Sequence, residues 1–301
     1  MTTGPGHDPL GWLRPPCVMG IVNVTPDSFS GGDASLDPGA ARSLVDAQAA
    51  AGAAICDVGA ESTRPGADRV PPAEQLRRLA PLLDVLRARP PGVALSVDTT
   101  RAPVAAAALR AGAVLVNDVS AGREDPAILE LVAERGAAVC LMHMRGQPRD
   151  MQDDPRYGDV VAEVEAFLAG RVEEAVRRGV PRARILLDPG IGFGKTLAHN
   201  LDLLRALPRL RRLGHPLVVG VSRKGMIGAL TGRPVAERAA GSVGGALAAV
   251  AGGADVVRVH DVPATVDALA VWCAVRTGGA HEEASGRPHG AAAAARGGDG
   301  G

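Results

Sequence analysis

The stretch "VALSVDTTRAPVAAAALRAGAVLVNDV" (93–119) decides the fold. It opens with a short apolar run ending on Asp98 and Thr99, passes through an Ala/Leu/Arg segment of helical character, and is stopped by Gly112. A second apolar, β-branched run follows at once and ends on Asn117 and Asp118. A glycine that closes a helix and feeds the next apolar run is a helix-end signal. Both runs are continuously apolar rather than alternating, as expected of parallel strands covered on both faces.

The same unit recurs outward in both directions. Apolar runs with polar ends lie at "CVMGIVN" (17–23), "AICDVGAES" (54–62), "AVCLMHM" (138–144), "RILLDPG" (184–190), "PLVVGVSR" (216–223) and "DVVRVHD" (255–261), which brings the strand candidates to eight. Gly52 and Gly179 end intervening helical stretches as Gly112 does. Eight buried strands with helical crossovers predict an α/β protein, a single-domain (β/α)8 TIM barrel over 16–277; an open doubly wound sheet is the competing architecture. The Gly/Pro-rich residues 1–15 read as a short mobile N-terminal segment, and 278–301, "GGAHEEASGRPHGAAAAARGGDGG", as a disordered tail without periodicity or apolar bulk. The long link 145–183, with a helix at "VVAEVEAFLAGRVEEAVRRG" (160–179), is an extended βα connection of the kind that grows in functional barrels.

Composition narrows the function. The 33 basic and 33 acidic side chains balance, which argues against nucleic-acid and membrane-surface partners, since both reward a basic excess. No apolar run is long enough to span a membrane, and "MTTGPGHDPLGWLRPP" has neither a basic n-region nor an apolar h-region, so a soluble cytoplasmic protein is expected. Cys17, Cys56, Cys140 and Cys273 lie far apart without metal-like spacing and read as reduced thiols. The chain writes nearly every cation as arginine: it has 31 arginines but only two lysines, Lys195 and Lys224, and only three asparagines and three phenylalanines. Where such rare residues survive, the common substitute does not serve.

In a barrel of this kind the active site forms at the C-terminal ends of the strands. Those ends present, in order, Asn23, Glu61 to Arg64, Asp98, Asn117, His143, Asp188, Ser222 to Lys224, and Arg258 with His260. Each has a plainer reading: Asp98 and Asp188 as helix caps, Asn117 and Asp118 as turn residues, His143 and His260 as hydrogen-bonded structural histidines. Their convergence on one mouth favours a site. "DPGIGFGKT" (188–196) approaches a Walker A loop, but Gly190 and Gly194 enclose three residues where that loop has four. The inventory also suggests a ligand. Two aspartates and an asparagine suit a flat heterocycle with an amino-pyrimidine edge, Arg258 can stack on it, and Arg64, Arg258 and His260 can meet phosphate. Asn23 offers an amide oxygen to a hard cation such as magnesium. The Gly, Pro and Ser of "TPDSFSGGD" (25–33) and "ESTRPGADRVPP" (61–72) suit loops that close over substrate.

Eight motifs in register then resemble the dihydropteroate synthase family, the pterin-binding enzymes of folate synthesis, over about 17–277: "GIVNVTPDSFS" (20–30), "DVGAESTRPG" (57–66), "SVDT" (96–99), "NDVSAG" (117–122), "LMHMRGQP" (141–148), "DPGIGFGK" (188–195), "GVSRKG" (220–225) and "RVHDV" (258–262). The resemblance implies a transferase that condenses 6-hydroxymethyl-7,8-dihydropterin diphosphate with p-aminobenzoate, giving 7,8-dihydropteroate and pyrophosphate. It further implies Mg2+ as cofactor, a homodimer, and a sulfonamide target. Carried over by motif, Asp98, Asn117, Asp188 and Lys224 form the pterin-binding set, with Met142 beneath the ring and Asn23 as the magnesium ligand. Thr63, Arg258 and His260 serve the diphosphate region, Arg258 also flanking the pterin ring, and Phe29, Pro65, Phe193 and Ser222 border the aminobenzoate slot. Asp98, Lys224, Arg258 and His260 are the residues expected to carry catalysis, with pyrophosphate departing before the amine attacks.

One departure is plain: relatives often write "SFSDGG" where this chain has "SFSGGDAS" (28–35), so the acidic residue, Asp33, follows the glycines. Two alternatives stand beside the synthase, a methyltetrahydrofolate:corrinoid methyltransferase and a catalytically silent pterin-binding paralogue. "STRPG", "SRKG" and "RVHDV" favour the synthase, because a methyltransferase has no diphosphate to expel.

Overall fold

The computed structural model describes residues 10–23, 38–87 and 92–277. Strand and helix alternate along them: β1 (Cys17–Asn23), α1 (Pro38–Ala50), β2 (Ile55–Gly59), α2 (Pro72–Leu86), β3 (Ala94–Asp98), α3 (Ala102–Arg110), β4 (Leu115–Asp118), α4 (Ala127–Arg135) and β5 (Ala138–Met142). The second half continues with α5 (Val160–Arg177), β6 (Ile185–Asp188), α6 (Leu197–Arg205), α7 (Leu207–Leu210), β7 (Val218–Val219), α8 (Gly225–Thr231), α9 (Ala239–Ala251), β8 (Val256–Val259) and α10 (Val262–Thr277). The expected first loop, with Phe29 and Asp33, and the expected tail 278–301 lie outside the described residues.

All strand pairs are parallel, in the order β6-β5-β4-β3-β2-β1-β8-β7. β1 pairs with β2 on one side and β8 on the other, and the two outer strands meet at a parallel bridge between Leu187 and Leu217, where Leu187 N–H donates to Pro216 O at 2.9 Å. The sheet is therefore a ring, which disposes of the open doubly wound alternative. β7 is the one strand much shorter than its apolar run: only Val218 and Val219 are regular, and the chain then leaves the sheet for a turn in which Arg223 takes φ 57°.

Period-two alternation divides the strands between two cores. Outward residues such as Val58, Val97, Val116, Leu141, Leu187 and Val257 pack with helix residues Leu79, Val104, Leu129, Leu168 and Leu203. Inward residues Met19, Ile55, Ala94, Leu115, Ala138, Leu186, Val218 and Val256 form a separate cluster that fills the lower barrel. Leu10 and Leu13, each 8% exposed, join that second cluster with Trp12 packed against it. Of the segment expected to be mobile, residues 10–15 thus run beneath the barrel, because three large apolar side chains there find an apolar floor to cover; residues 1–9 lie outside the described residues. Continued upward, the same alternation turns Asp57, Asp98, Asn117, Asp188 and Arg258 into the mouth. Among the described residues no helix is long and apolar enough to cross a membrane.

Candidate active site

The floor of the mouth is an ion-pair junction. Asp57, fully buried in β2, accepts at Oδ2 from Arg258 Nε at 2.7 Å and from Asn117 Nδ2 at 3.0 Å. Arg258 Nη2 donates to Asp98 Oδ2 at 2.8 Å. Four strands, β2, β3, β4 and β8, are tied together by three bonds. Burial pushes the Asp98 carboxyl up to about 7; Arg258 pulls the other way, and Asp57, Glu61 and Asp118 add to the rise. For Arg258, burial opposes the charge, but Asp57 and Asp98 outweigh it and hold the guanidinium above its ordinary value.

A second group lies across the mouth, around β6 and β7. Asp188 Oδ1 accepts from Gly190 N at 2.6 Å. Burial raises the Asp188 carboxyl, against the pull of Lys224. Lys224 Nζ donates to Ile191 O and stands 4.5 Å from the centroid of the Phe193 ring. Burial lowers the Lys224 ammonium to about 8, opposed by Asp188. Met142, Met144, Met151 and Val119 form a small apolar cluster with Phe193 packed against it, which gives the mouth a non-polar wall.

The turn after β7 aims two side chains into the mouth at once. Arg223 is in the left-handed region, which costs a non-glycine residue roughly 1 kcal/mol. Three contacts hold it there: its guanidinium pairs with Asp261 through Nε (3.1 Å) and Nη2, its N–H donates to Ser242 Oγ at 2.8 Å, and its carbonyl accepts from Arg238 Nη1 at 3.1 Å. Ser222 and Lys224 on either side face inward. Ser222 Oγ accepts from His260 N at 3.2 Å and lies 3.0 Å from His260 Nδ1. Burial, then Arg258, Arg223 and Arg64, lowers His260 to about 4. The ring is therefore neutral, and with Nδ1 accepting from the Ser222 hydroxyl its proton is assigned to Nε2, a donor available to a ligand.

The rim carries the remaining candidates. Thr63 is half-buried, whereas Arg64 and Pro65 are exposed. Their loop is tethered at Gly66 N, which donates to Pro148 O at 2.9 Å, and at its base Glu61 accepts from Val70 N at 2.8 Å and Gln75 Nε2 at 3.1 Å. Asn23 ends β1, half-buried. Phe29 lies outside the described residues.

Asp98 and Asp188 do not cap helices, since the N-cap positions of α3 and α6 are Arg101 and Thr196. Asp118 is a turn residue, its carboxylate taking Ser120 N at 2.7 Å and Gly122 N at 2.6 Å. His143 is structural: Lys195 Nζ lies 2.9 Å from its Nδ1 and donates to Phe193 O at 3.0 Å. Lys195 is 3% exposed and committed to these acceptors, so "GFGK" is not an open phosphate loop. Asp57 is the residue that inspection of strand ends overlooks. Alternation counted from Ile55 turns it inward, which is the signal that finds it.

Among the described residues no cluster of three His, Cys, Asp or Glu side chains is arranged to hold a metal. Asn23 supplies one hard oxygen at the mouth. Such a donor set fits a cation that reaches the site with phosphate oxygens and water as its other ligands, the usual habit of magnesium.

A parallel barrel whose mouth lines acids, an amide and two cations around an apolar wall defines the class: the family model described as "Pterin binding enzyme" matches residues 19–260. The chain is 48% identical over 264 residues to "Dihydropteroate synthase" of Neisseria meningitidis serogroup C, covering 86% of this chain and 93% of the relative. Among solved structures, Xanthomonas albilineans dihydropteroate synthase with 4-aminobenzoic acid superposes with a TM-score of 0.81 at 50% identity, covering 87% of this chain and 93% of the other. The same enzyme in complex with 7,8-dihydropteroate gives 0.78 at 47% identity, covering 87% and 94%. The chain belongs to the dihydropteroate synthase family, transferases that condense a pterin with p-aminobenzoate.

Proposed function

We propose that this mouth joins 6-hydroxymethyl-7,8-dihydropterin diphosphate to p-aminobenzoate, releasing pyrophosphate and 7,8-dihydropteroate, and that the residues described above divide the work. The observation that carries this reading is the convergence on one mouth of two groups, Asp98 and Asn117 with Arg258 and, across from them, Asp188 with Lys224, beside an apolar wall. Asp188 and Asn117 take the amino-pyrimidine edge, Lys224 reaches a ring acceptor, and Met142 and Phe193 cover the faces. Arg258 flanks the ring and, with Thr63, Arg64 and the Nε2 proton of His260, receives the diphosphate. Ser222, Pro65 and Phe193 border the aminobenzoate.

In the reaction the bond between the pterin methylene carbon and the diphosphate oxygen breaks, and its electron pair leaves with pyrophosphate. The carbon is left as a cation conjugated with the pterin. The amine nitrogen of p-aminobenzoate forms the new C–N bond and loses one proton to solvent. No side-chain nucleophile takes part. Anionic Asp98 and Asp188 favour the positive charge that develops on the ring, and Arg258 and His260 favour the departing charge. Asn23 would hold magnesium, which when bound neutralises charge on the diphosphate.

We read residues 16–277 as the catalytic barrel, with 10–15 closing its floor, acting in the cytoplasm as a homodimer. The direct test is pyrophosphate release on mixing both substrates with magnesium and the purified chain, with 7,8-dihydropteroate identified as product. Pterin binding without pyrophosphate release would mark a silent paralogue, and methyl transfer from methyltetrahydrofolate a methyltransferase.

A further inference from the structure

One buried acid has no part in the division of roles above. Asp57 is 0% exposed and lies beneath the side chains that face substrate. Its Oδ2 holds Arg258 Nε at 2.7 Å, while Nη2 of the same guanidinium lies 2.8 Å from Asp98 Oδ2. The two partners differ in kind. Asp57 sits in mid-strand, shut off below, whereas Asp98 ends β3 and faces the ligand space. While Arg258 holds Asp98 Oδ2, one substrate contact occupies another, and that oxygen is free for a pterin edge only when the guanidinium moves.

From this geometry we propose that Asp57 is a positioning residue, the fixed anchor on which Arg258 swivels: Nε stays on Asp57 while Nη2 leaves Asp98 for the incoming pterin diphosphate. The inference rests on the mouth being the pterin diphosphate site. A wholly buried carboxylate without a partner is strongly destabilising, and Arg258 is the only cation bonded to Asp57 among the described residues. The anchor must therefore hold in both states. The shape of the group permits this, because turning the guanidinium about the line from Nε to Asp57 Oδ2 keeps the Nε–H bond while Nη2, which lies well off that line, is carried away from Asp98. The same Asp57 oxygen accepts from Asn117 Nδ2 at 3.0 Å, so one buried atom sets ligand-facing groups on two strands.

The test is Asp57→Asn, which removes the charge but leaves an acceptor for Asn117. Arg258 then keeps Asp98 as its one ion-pair partner, with only a neutral acceptor at position 57, and the ligand must break that pair without a charged anchor. The dissociation constant for pterin diphosphate, measured by calorimetry, is expected to rise at least about tenfold, with KM for p-aminobenzoate changing less than about twofold. The acid limb of kcat/KM should move to lower pH. Asp98 is raised by burial and by Asp57, Glu61 and Asp118 and lowered by Arg258, so losing the Asp57 charge lowers it. A merely structural lesion would weaken both substrates together and leave that limb in place. In an Arg258→Gln background, Asp57→Asn should cost less than about twofold.

Wild-type affinity in Asp57→Asn, or its full penalty persisting without Arg258, overturns the swivel. A wild-type protein that binds no pterin diphosphate overturns the reading of the mouth as well, so the two failures are distinct. Should Asp57→Asn fail to fold, NMR of the wild-type chain decides. The Arg258 Nε proton, assigned by its loss in Arg258→Gln, should remain protected when pterin diphosphate is added; exchange as fast as in free arginine refutes the anchor.

Discussion

At Lys224 the surroundings explain why a chain that otherwise writes arginine keeps lysine. The ammonium is received by Ile191 O, the Phe193 ring stands on one side, and a Cβ built on Gly192 would lie 3.0 Å from Lys224 Cδ. A planar fork is wider than this slot. Lys224→Arg preserves the charge but should weaken pterin diphosphate binding by about tenfold or more, measured by calorimetry; near-normal affinity would leave the lysine unexplained. The same two groups predict the pH profile of kcat/KM. In the proposed site Asp98 acts as the anion, and burial raises it to about 7, so activity is expected to fall as pH drops through that value; Lys224 acts as the cation, and burial lowers it to about 8, so activity is expected to fall as pH rises past it. A bell with those limbs is expected, and Asp98→Asn should erase the acid limb along with most turnover. Asn23, Asp98, Asn117, Asp188 and Lys224 were legible in the sequence because they end or follow apolar runs and several are rare residue types, and Arg258 because it lies two residues before the polar end of its run at His260. Asp57, four residues ahead of Glu61, was not, because only alternation within the strand turns it toward the mouth. The partners of Lys195 were not either, since His143 and the Phe193 carbonyl meet it only when two loops fold together.

Among the elements, the turn between β7 and α8 bears most on the chemistry. It presents Ser222 and Lys224 to one side and Arg223 to the other, and the Arg223–Asp261 pair fixes the loop after β7 to the loop after β8, where His260 sits. Arg223→Ala keeps the left-handed backbone but removes its clamp. We expect a stability loss of about 1–2 kcal/mol in chemical denaturation, with KM rising for both substrates because both flanking side chains lose their aim. This separates the clamp from Asp57, whose replacement should leave the p-aminobenzoate KM nearly unchanged. The length of β7 could not be read from sequence. "PLVVGVSR" is apolar enough for a full strand, but its end is set by the backbone reversal at Arg223, where a bulky residue in that region carries no local signal.

For the molecule as a whole, the eight strands and their parallel order follow from repeated apolar runs and helix-ending glycines, whereas the barrel floor does not. "DPLGWLRPP" (8–16) is Gly/Pro-rich and suggests a loose end, yet Leu13 is buried against inward residues of the strands. Leu13→Ala should cost about 2–3 kcal/mol in unfolding free energy while both KM values stay put, since the floor is the end of the barrel opposite the mouth. A floor that is dispensable would show no such loss.

Ring closure has a further bearing on the slot. Between β6 and β7 the sheet is joined by a single bridge. Asp188 ends the strand on one side of that joint, and Lys224 follows the strand on the other. The gap between this acid and this cation is thus the one dimension of the mouth that the ladder does not gauge. It is gauged by a strut, the bond from Lys224 Nζ to Ile191 O across the seam. The barrel therefore comes with one adjustable jaw: substitutions in two loops can widen or narrow the slot between Asp188 and Lys224 while every strand keeps its register.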